Sequence, residues 1–324
     1  MPENSLELRK LLVAADFSPP AEAALHRAVS VARSFGAEIT VCHVLHDVRE
    51  AMAVMRREAR WELVAGDIHK YEQALCEESE TRLDELLRPL QDGSVTLRHE
   101  TRIGATYIQL IHAVQEHEYE LVFVGTRGVT GLKRLMLGST AQRLLRNCPA
   151  PVWVVKAERV TPLKSILATT DFSEASGEAL KTAAGLASRL GAELHLLHAV
   201  QTAGLLKSAQ AQGYLEGVSS TQIDQEVQQQ LQEFAALHCG ETPPQLHVVH
   251  GQPAKAIVEA AAQLNADLTV LSTVGRSGLP GLLIGNTAEQ VVDSLACDVL
   301  AVKPKAFISP ILPALHVESP VCDE

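Results

Sequence analysis

The residues Gly125, Gly128, Gly138 and Ser139 stand at the spacing Gly-x2-Gly-x9-Gly-Ser, with Thr140 following. Glycines so placed let the backbone turn tightly and bring its amides close to an anion with no Cβ in the way. Gly138-Ser139-Thr140 opens a helix-like run, where unpaired amides and the helix dipole favour a phosphate and the two hydroxyls add donors. Arg127, Lys133 and Arg134 give the stretch from Gly125 to Thr140 three positive charges and no negative one. A glycine-rich crossover ahead of a capped helix would use the same residues, but their place after an apolar strand favours anion binding. Asp16 follows another apolar run, LLVAA. Its carboxylate could accept hydrogen bonds from an amino group or a ribose hydroxyl, or it and Ser18 could simply cap the next helix.

Other chemistries lack their residues. There is no GxxxxGK[ST], no GxGxxG after the first strand, no GxSxG and no HExxH, so phosphate-loop hydrolysis, dinucleotide redox chemistry, acyl transfer and metalloprotease chemistry lose their usual support. No nucleophile, base and orienting group can be assembled, and no catalytic residue is assigned. The pairs His195-x2-His198 and His247-x2-His250 invite a metal, yet residues i and i+3 of a strand face opposite sides, so neither pair chelates alone and zinc is not expected. Six cysteines without a CxxC pair do not suggest a disulfide framework.

The elements that must position these residues repeat along the chain. LLVAADFS, ending at Ser18, recurs as ILATTDFS, ending at Ser173, and His43 recurs as His198. Gly138-Ser139-Thr140-Ala141 recurs as Gly285-Asn286-Thr287-Ala288. Each copy alternates apolar strand-like runs with helical runs. In the first, strands are expected at Lys10–Ala15, Glu38–Leu45, Ser94–Glu100, Leu121–Val124 and Pro151–Lys156. Helices are expected at Pro20–Phe35, Asp47–Leu90, Ala105–His117 and Ser139–Asn147. Such alternation implies right-handed βαβ units and a parallel, doubly wound sheet with helices on both faces. The expected domains are 1–157 and 163–304, with 305–324 as a tail. The chain has 324 residues, 46% of them hydrophobic and 21% charged, and a formal charge of −11. That acidity argues against nucleic-acid binding, which rests on Lys and Arg neutralising phosphates. No apolar run approaches the roughly 18 residues that a spanning helix needs, and MPENSLELRK holds no secretory apolar region, so a cytoplasmic protein is expected.

DFS at the end of the first strand, His43-Val44 at the end of the second, the glycine loop and the closing PVWVVK together resemble the universal stress protein family, in its tandem form. The resemblance implies two five-stranded α/β domains packed as an internal pseudo-dimer, with the closing strands paired, and it is compatible with a further homodimer. It implies ATP as ligand, with magnesium accompanying the phosphates and little or no turnover. By position, Asp16 and Val44 would hold the base, and Gly125, Gly128, Gly138, Ser139 and Thr140 the phosphates and ribose. In the second copy Asp171, Gly275, Gly285 and Asn286 occupy the matching places, but Ser272 replaces the first glycine, Ala199 stands where the first copy has Val44, and the loop carries one cation, Arg276. Weaker nucleotide binding is expected there. The implied role is a stress-response sensor or regulator. A nucleotide-independent interaction protein with vestigial loops and a slow ATP hydrolase are the alternatives.

Overall fold

The structure, a computed structural model, describes residues 6–47, 61–126, 137–156, 160–201, 220–274 and 285–314. Its elements in chain order are β1 (Lys10–Ala15), α1 (Pro19–Phe35), β2 (Glu38–Leu45), α2 (Trp61–Leu87), β3 (Leu97–Ile103), α3 (Thr106–His117), β4 (Leu121–Gly125), α4 (Ser139–Asn147) and β5 (Val152–Val155). The second copy repeats them as β6 (Ser165–Thr170), α5 (Glu174–Leu190), β7 (Glu193–Val200), α6 (Ser220–His238), β8 (Gln245–His250), α7 (Pro253–Gln263), β9 (Leu268–Ser272), α8 (Asn286–Ser294) and β10 (Asp298–Val302). Leu11, Leu12 and Val13 are all fully buried. Successive strand residues point to opposite faces, so both faces of β1 are covered, as a parallel sheet between helix layers requires.

Packing divides the chain into two units. The first holds β1 to β4 and α1 to α4, with strand order β3-β2-β1-β4. β1 pairs with β2 and β4, and β2 with β3, all parallel. The second holds β5 to β10 in the order β5-β10-β9-β6-β7-β8. Five of these strands run parallel, and β5 pairs antiparallel with β10, Trp153 opposite Leu300. The two closing strands therefore pair, and β5, which the sequence places last in the first domain, lies in the second unit.

Both long N-terminal helices of the copies begin and end on local chemistry. The Ser18 hydroxyl accepts from the Ala21 amide at 3.4 Å and the Ser173 hydroxyl from the Ser176 amide at 3.2 Å. Gly36 and Gly191 close α1 and α5 in the left-handed conformation, at φ 70° and 66°.

Further differences from the sequence expectation have physical causes. β3 runs Leu97–Ile103, three residues later than expected, because Asp92 and Ser94 are tied in a turn, the Ser94 amide donating to Asp92 at 3.0 Å. Its polar residues are buried in pairs: Arg102, 2% exposed, donates to Glu116 at 2.8 Å and to Glu100 at 3.1 Å. Residues 309–314 are not a free tail. Gln115 Nε2 donates to the Ile311 carbonyl at 2.9 Å, His112 Nε2 to that of Leu312 at 3.2 Å, and Ser309 Oγ to that of Asn147 at 2.7 Å, all within the first unit. Cys42, Cys148 and Cys239 are buried free thiols and Cys297 a half-buried one, while Cys76 is disulfide-bonded.

The parallel register of β7 and β8 sets Leu197 opposite His247 and brings one histidine of each sequence pair together. His195 Nδ1 lies 3.2 Å from His247 Nε2. One ring must donate and the other accept, so the contact exists only while at least one is neutral. Burial lowers the pKa of His195, opposed by Glu193 3.9 Å away, and burial with the neighbouring His195 lowers that of His247. A histidine depressed in the folded state binds fewer protons there than in the unfolded chain. Its stabilisation is therefore whole above the ordinary 6.5 and is lost as the pH falls below it. The urea midpoint is expected to drop between pH 7 and 5, and His195→Leu should flatten that drop; an unchanged slope would contradict the pairing.

Candidate nucleotide site

In the first unit β1 delivers its last residue beside His43 of β2. The next residues form a tight turn in which Asp16 Oδ1 accepts from the Ser18 amide at 3.0 Å and the Ser18 hydroxyl at 2.5 Å. Of the two roles open to this triplet, the structure shows the capping one, with Ser18 as the helix cap and Asp16 bracing it. Phe17, between them, takes φ 57°, a strained choice for a bulky residue. Its ring is held by the His43 ring at 4.6 Å and by the Arg82 guanidinium at 4.0 Å. His43 Nδ1 donates to the Ala15 carbonyl at 2.7 Å, which fixes the ring's tautomer. Burial, and then Arg82, lower the His43 pKa against that bond, keeping the ring neutral at pH 7. Val44 follows on β2 and is buried.

The phosphate side begins at Gly125. A Cβ there would stand 2.6 Å from the carbonyl carbon and oxygen of Pro20. Gly125 is thus required for close packing of β4 on the first turn of α1, a role its motif position alone does not reveal. The Gly138 amide donates to Thr126 at 2.7 Å, and Gly138 then caps α4 in an extended conformation without any side-chain cap. The first turn of α4, with Ser139 and Thr140, holds no acidic residue. Amides at a helix start without a competing carboxylate favour a nearby anion. Gly128, Arg127, Lys133 and Arg134 lie outside the described residues.

The second unit rebuilds the same frame. Asp171 Oδ1 accepts from the Ser173 amide at 3.1 Å and its hydroxyl at 2.5 Å; Phe172 takes φ 63° and lies 4.3 Å from the His198 ring. The Gly285 amide donates to Thr273 at 2.7 Å and caps α8. Asn286 is the first helical residue and provides no cap, which falls to Gly285. Here the frame encloses a cavity of about 520 Å³ at the carboxyl ends of the strands, bounded by Asp171, Ala199, Ser272, Thr273, Gly285 and Asn286 among others. That lies within the roughly 300–1,000 Å³ of small-molecule sites. Ser272, at the place of Gly125, turns its hydroxyl onto the Val274 carbonyl at 2.7 Å. Sequence reasoning passed over Thr273, which is fully buried behind the cavity wall, its hydroxyl without a hydrogen-bond partner among the described residues. Gly275 lies outside the described residues. Among the described residues no group of three His, Cys, Asp or Glu side chains could hold a metal, and no helix is long and apolar enough to cross a membrane.

An open, mostly parallel sheet of this kind places ligands beyond the carboxyl ends of its strands, and comparison with known proteins gives the fold a family. The model of the universal stress protein family matches residues 7–156 and again 162–303. The chain belongs to the universal stress protein family and carries two of its domains in tandem. The Haemophilus influenzae universal stress protein E homolog is 28% identical over 320 residues, covering 92% of this chain and 98% of that one. Universal stress protein E of Escherichia coli K12 is 30% identical over 212 residues, 62% of this chain and 66% of that one. Among solved structures, a universal stress protein from Archaeoglobus fulgidus superposes with a TM-score of 0.66 at 20% identity, covering 91% of this chain and 98% of that one. A protein of unknown function from Pseudomonas aeruginosa PAO1 does so at 0.64 and 24%, covering 92% and 93%. These last two likenesses concern the fold.

Proposed function

We propose that the protein binds ATP, chiefly in the first copy, and works as a cytoplasmic stress-response sensor or regulator with little or no hydrolysis. The observation that carries this reading is the pairing of the Asp16 turn with the glycine-capped start of α4. Asp16 presents a carboxylate beside the end of β2, where a base or ribose would dock. At α4, unpaired amides, the Ser139 and Thr140 hydroxyls and the absence of acidic residues in the first turn suit a polyphosphate. The three cations between Gly125 and Thr140 in the sequence add to that attraction. Magnesium would arrive on the phosphates and neutralise part of their charge. The absence of an assembled nucleophile and base favours binding without turnover.

Titration of the full chain with MgATP tests the reading. Asp16→Ala is expected to weaken the binding at least tenfold, the size of one lost charge-assisted hydrogen bond, about 1.5–3 kcal/mol. Phosphate release should stay at the background rate. Undiminished affinity in Asp16→Ala would remove Asp16 from the site. The lack of any MgATP heat in the unaltered chain would turn the assignment to a nucleotide-independent interaction protein.

A further inference from the structure

The two copies fill one matching place in the sheet with different chemistry. In the first copy β2 and β3 pair with Cys42 opposite Glu100, and Glu100 shares a built-in cation, Arg102, with Glu116 of α3. In the second copy β7 and β8 pair in the same register, with Leu197 opposite His247. The repeat that aligns Ser18 with Ser173 and Gly138 with Gly285 sets His195 at the place of Thr40 and His247 at that of Glu100. It sets Val249 at the place of Arg102 and Gln263 at that of Glu116. The fixed cation and both carboxylates are gone, and two imidazoles stand where Thr40 and Glu100 stood. We propose that His195 and His247 bind a divalent transition-metal cation of the zinc type, with water completing its coordination, in the second copy alone.

Two histidines three apart on one strand face opposite sides and cannot chelate. Adjacent strands remove that obstacle by contributing one ring each. His195 Nδ1 and His247 Nε2 lie 3.2 Å apart, close to the roughly 3.3 Å between two nitrogens that each sit about 2.0–2.1 Å from a tetrahedral ion. The ring planes are inclined at 47° with centroids 5.3 Å apart, so a turn of each ring aims both lone pairs at one point. The proton the rings share then moves to the far nitrogen of its own ring, and both imidazoles stay neutral. In His195 that far nitrogen is Nε2. The Glu193 carboxylate, 3.9 Å away, is placed to accept from it, which is how metal-bound histidines are commonly oriented. Imidazole suits zinc and copper, whereas magnesium and calcium take oxygen ligands. His195 is 4% exposed, but His247 is half-buried on β8, the last strand of its sheet order, so an ion can enter from that side. The pair lies on the opposite face of β7 from His198, whose ring meets Phe172, and the inference is independent of the nucleotide reading.

The test is equilibrium dialysis of the full-length chain, first stripped with a chelator, against Zn(II) alone, with bound metal measured by atomic emission. Other histidines and exposed carboxylates also take up zinc, so the difference between variants is the readout. The parent should hold about one equivalent more than His247→Gln and His195→Gln, and part of its zinc-dependent rise in melting temperature should be lost in both. The same dialysis against Mg(II) should show no difference between parent and variants. Circular dichroism of the metal-free variants checks that they fold, and His247→Gln, at the half-buried ring, decides the matter should His195→Gln not fold. The proposal is overturned by a parent that binds no zinc, or by zinc uptake that a folded His247→Gln chain leaves unchanged.

Discussion

Asp298→Ala is expected to lower the stability of the chain by about 3–5 kcal/mol, the cost of stripping one partner from a buried ionic cluster. Asp298 is 1% exposed at the start of β10. Its carboxylate accepts from the Trp153 indole at 3.2 Å and from the Lys156 amide at 2.9 Å. The Lys156 ammonium in turn donates to the Leu295 carbonyl at 2.7 Å and to that of Val292, closing the C-terminus of α8. Burial lowers the Lys156 pKa, and Asp298 is among the groups that oppose the shift. Removing the carboxylate leaves an indole N–H and a main-chain amide without their acceptor and deprives a buried cation of a counter-charge. Asp298→Asn, which keeps two acceptor lone pairs, should cost less. The chain's two tryptophans allow urea unfolding to be followed by fluorescence. A loss below about 1 kcal/mol in Asp298→Ala would show that the cluster does not secure the closing strands.

Gly125→Val should destabilise the first unit by about 1–3 kcal/mol through overpacking, and it should also impair MgATP binding. The first atom of any side chain at Gly125 meets the Pro20 backbone at 2.6 Å, so a rotamer change cannot relieve the overlap. The first turn of α1 has to move, and the Asp16–Ser18 turn that feeds it moves too. The counterpart change in the second copy, Ser272→Gly, removes a hydroxyl that donates to the Val274 carbonyl and should lie within about 0.5 kcal/mol of the parent. Thermal melting and MgATP titration of both variants decide the matter. A Gly125→Val chain that melts and binds as the parent does would mean that β4 and α1 can separate without consequence.

Much of the frame was legible in the residues, for identifiable reasons. β1, β2 and α4 match their expected bounds because an uninterrupted apolar run, a following glycine and a Gly-Ser-Thr helix start are local signals. β3 was misplaced by three residues because Arg102 and Glu100 look like surface residues until Glu116, on another element, is seen to pair with Arg102. Long-range docking was equally hidden. Nothing near Ser309 announces that Ile311 and Leu312 meet Gln115 and His112, and nothing near Leu6 announces that Gly185 is small to admit it. At the site, the motif located Gly125 and Asn286 but not their work. Gly125 clears space for a helix, and Asn286 leaves the capping to Gly285. Thr273 escaped notice because an unpartnered hydroxyl is a property of packing, with no signature in sequence.

The central claim, that the first copy holds ATP, is tested most directly by denaturing freshly purified full-length protein and quantifying the released nucleotide per chain by ion-exchange chromatography. The account predicts about one ATP or ADP per chain, with less retained by Asp16→Ala. Two nucleotides per chain would contradict the expected weakness of the second copy. No nucleotide, together with no heat on adding MgATP, would contradict the claim itself.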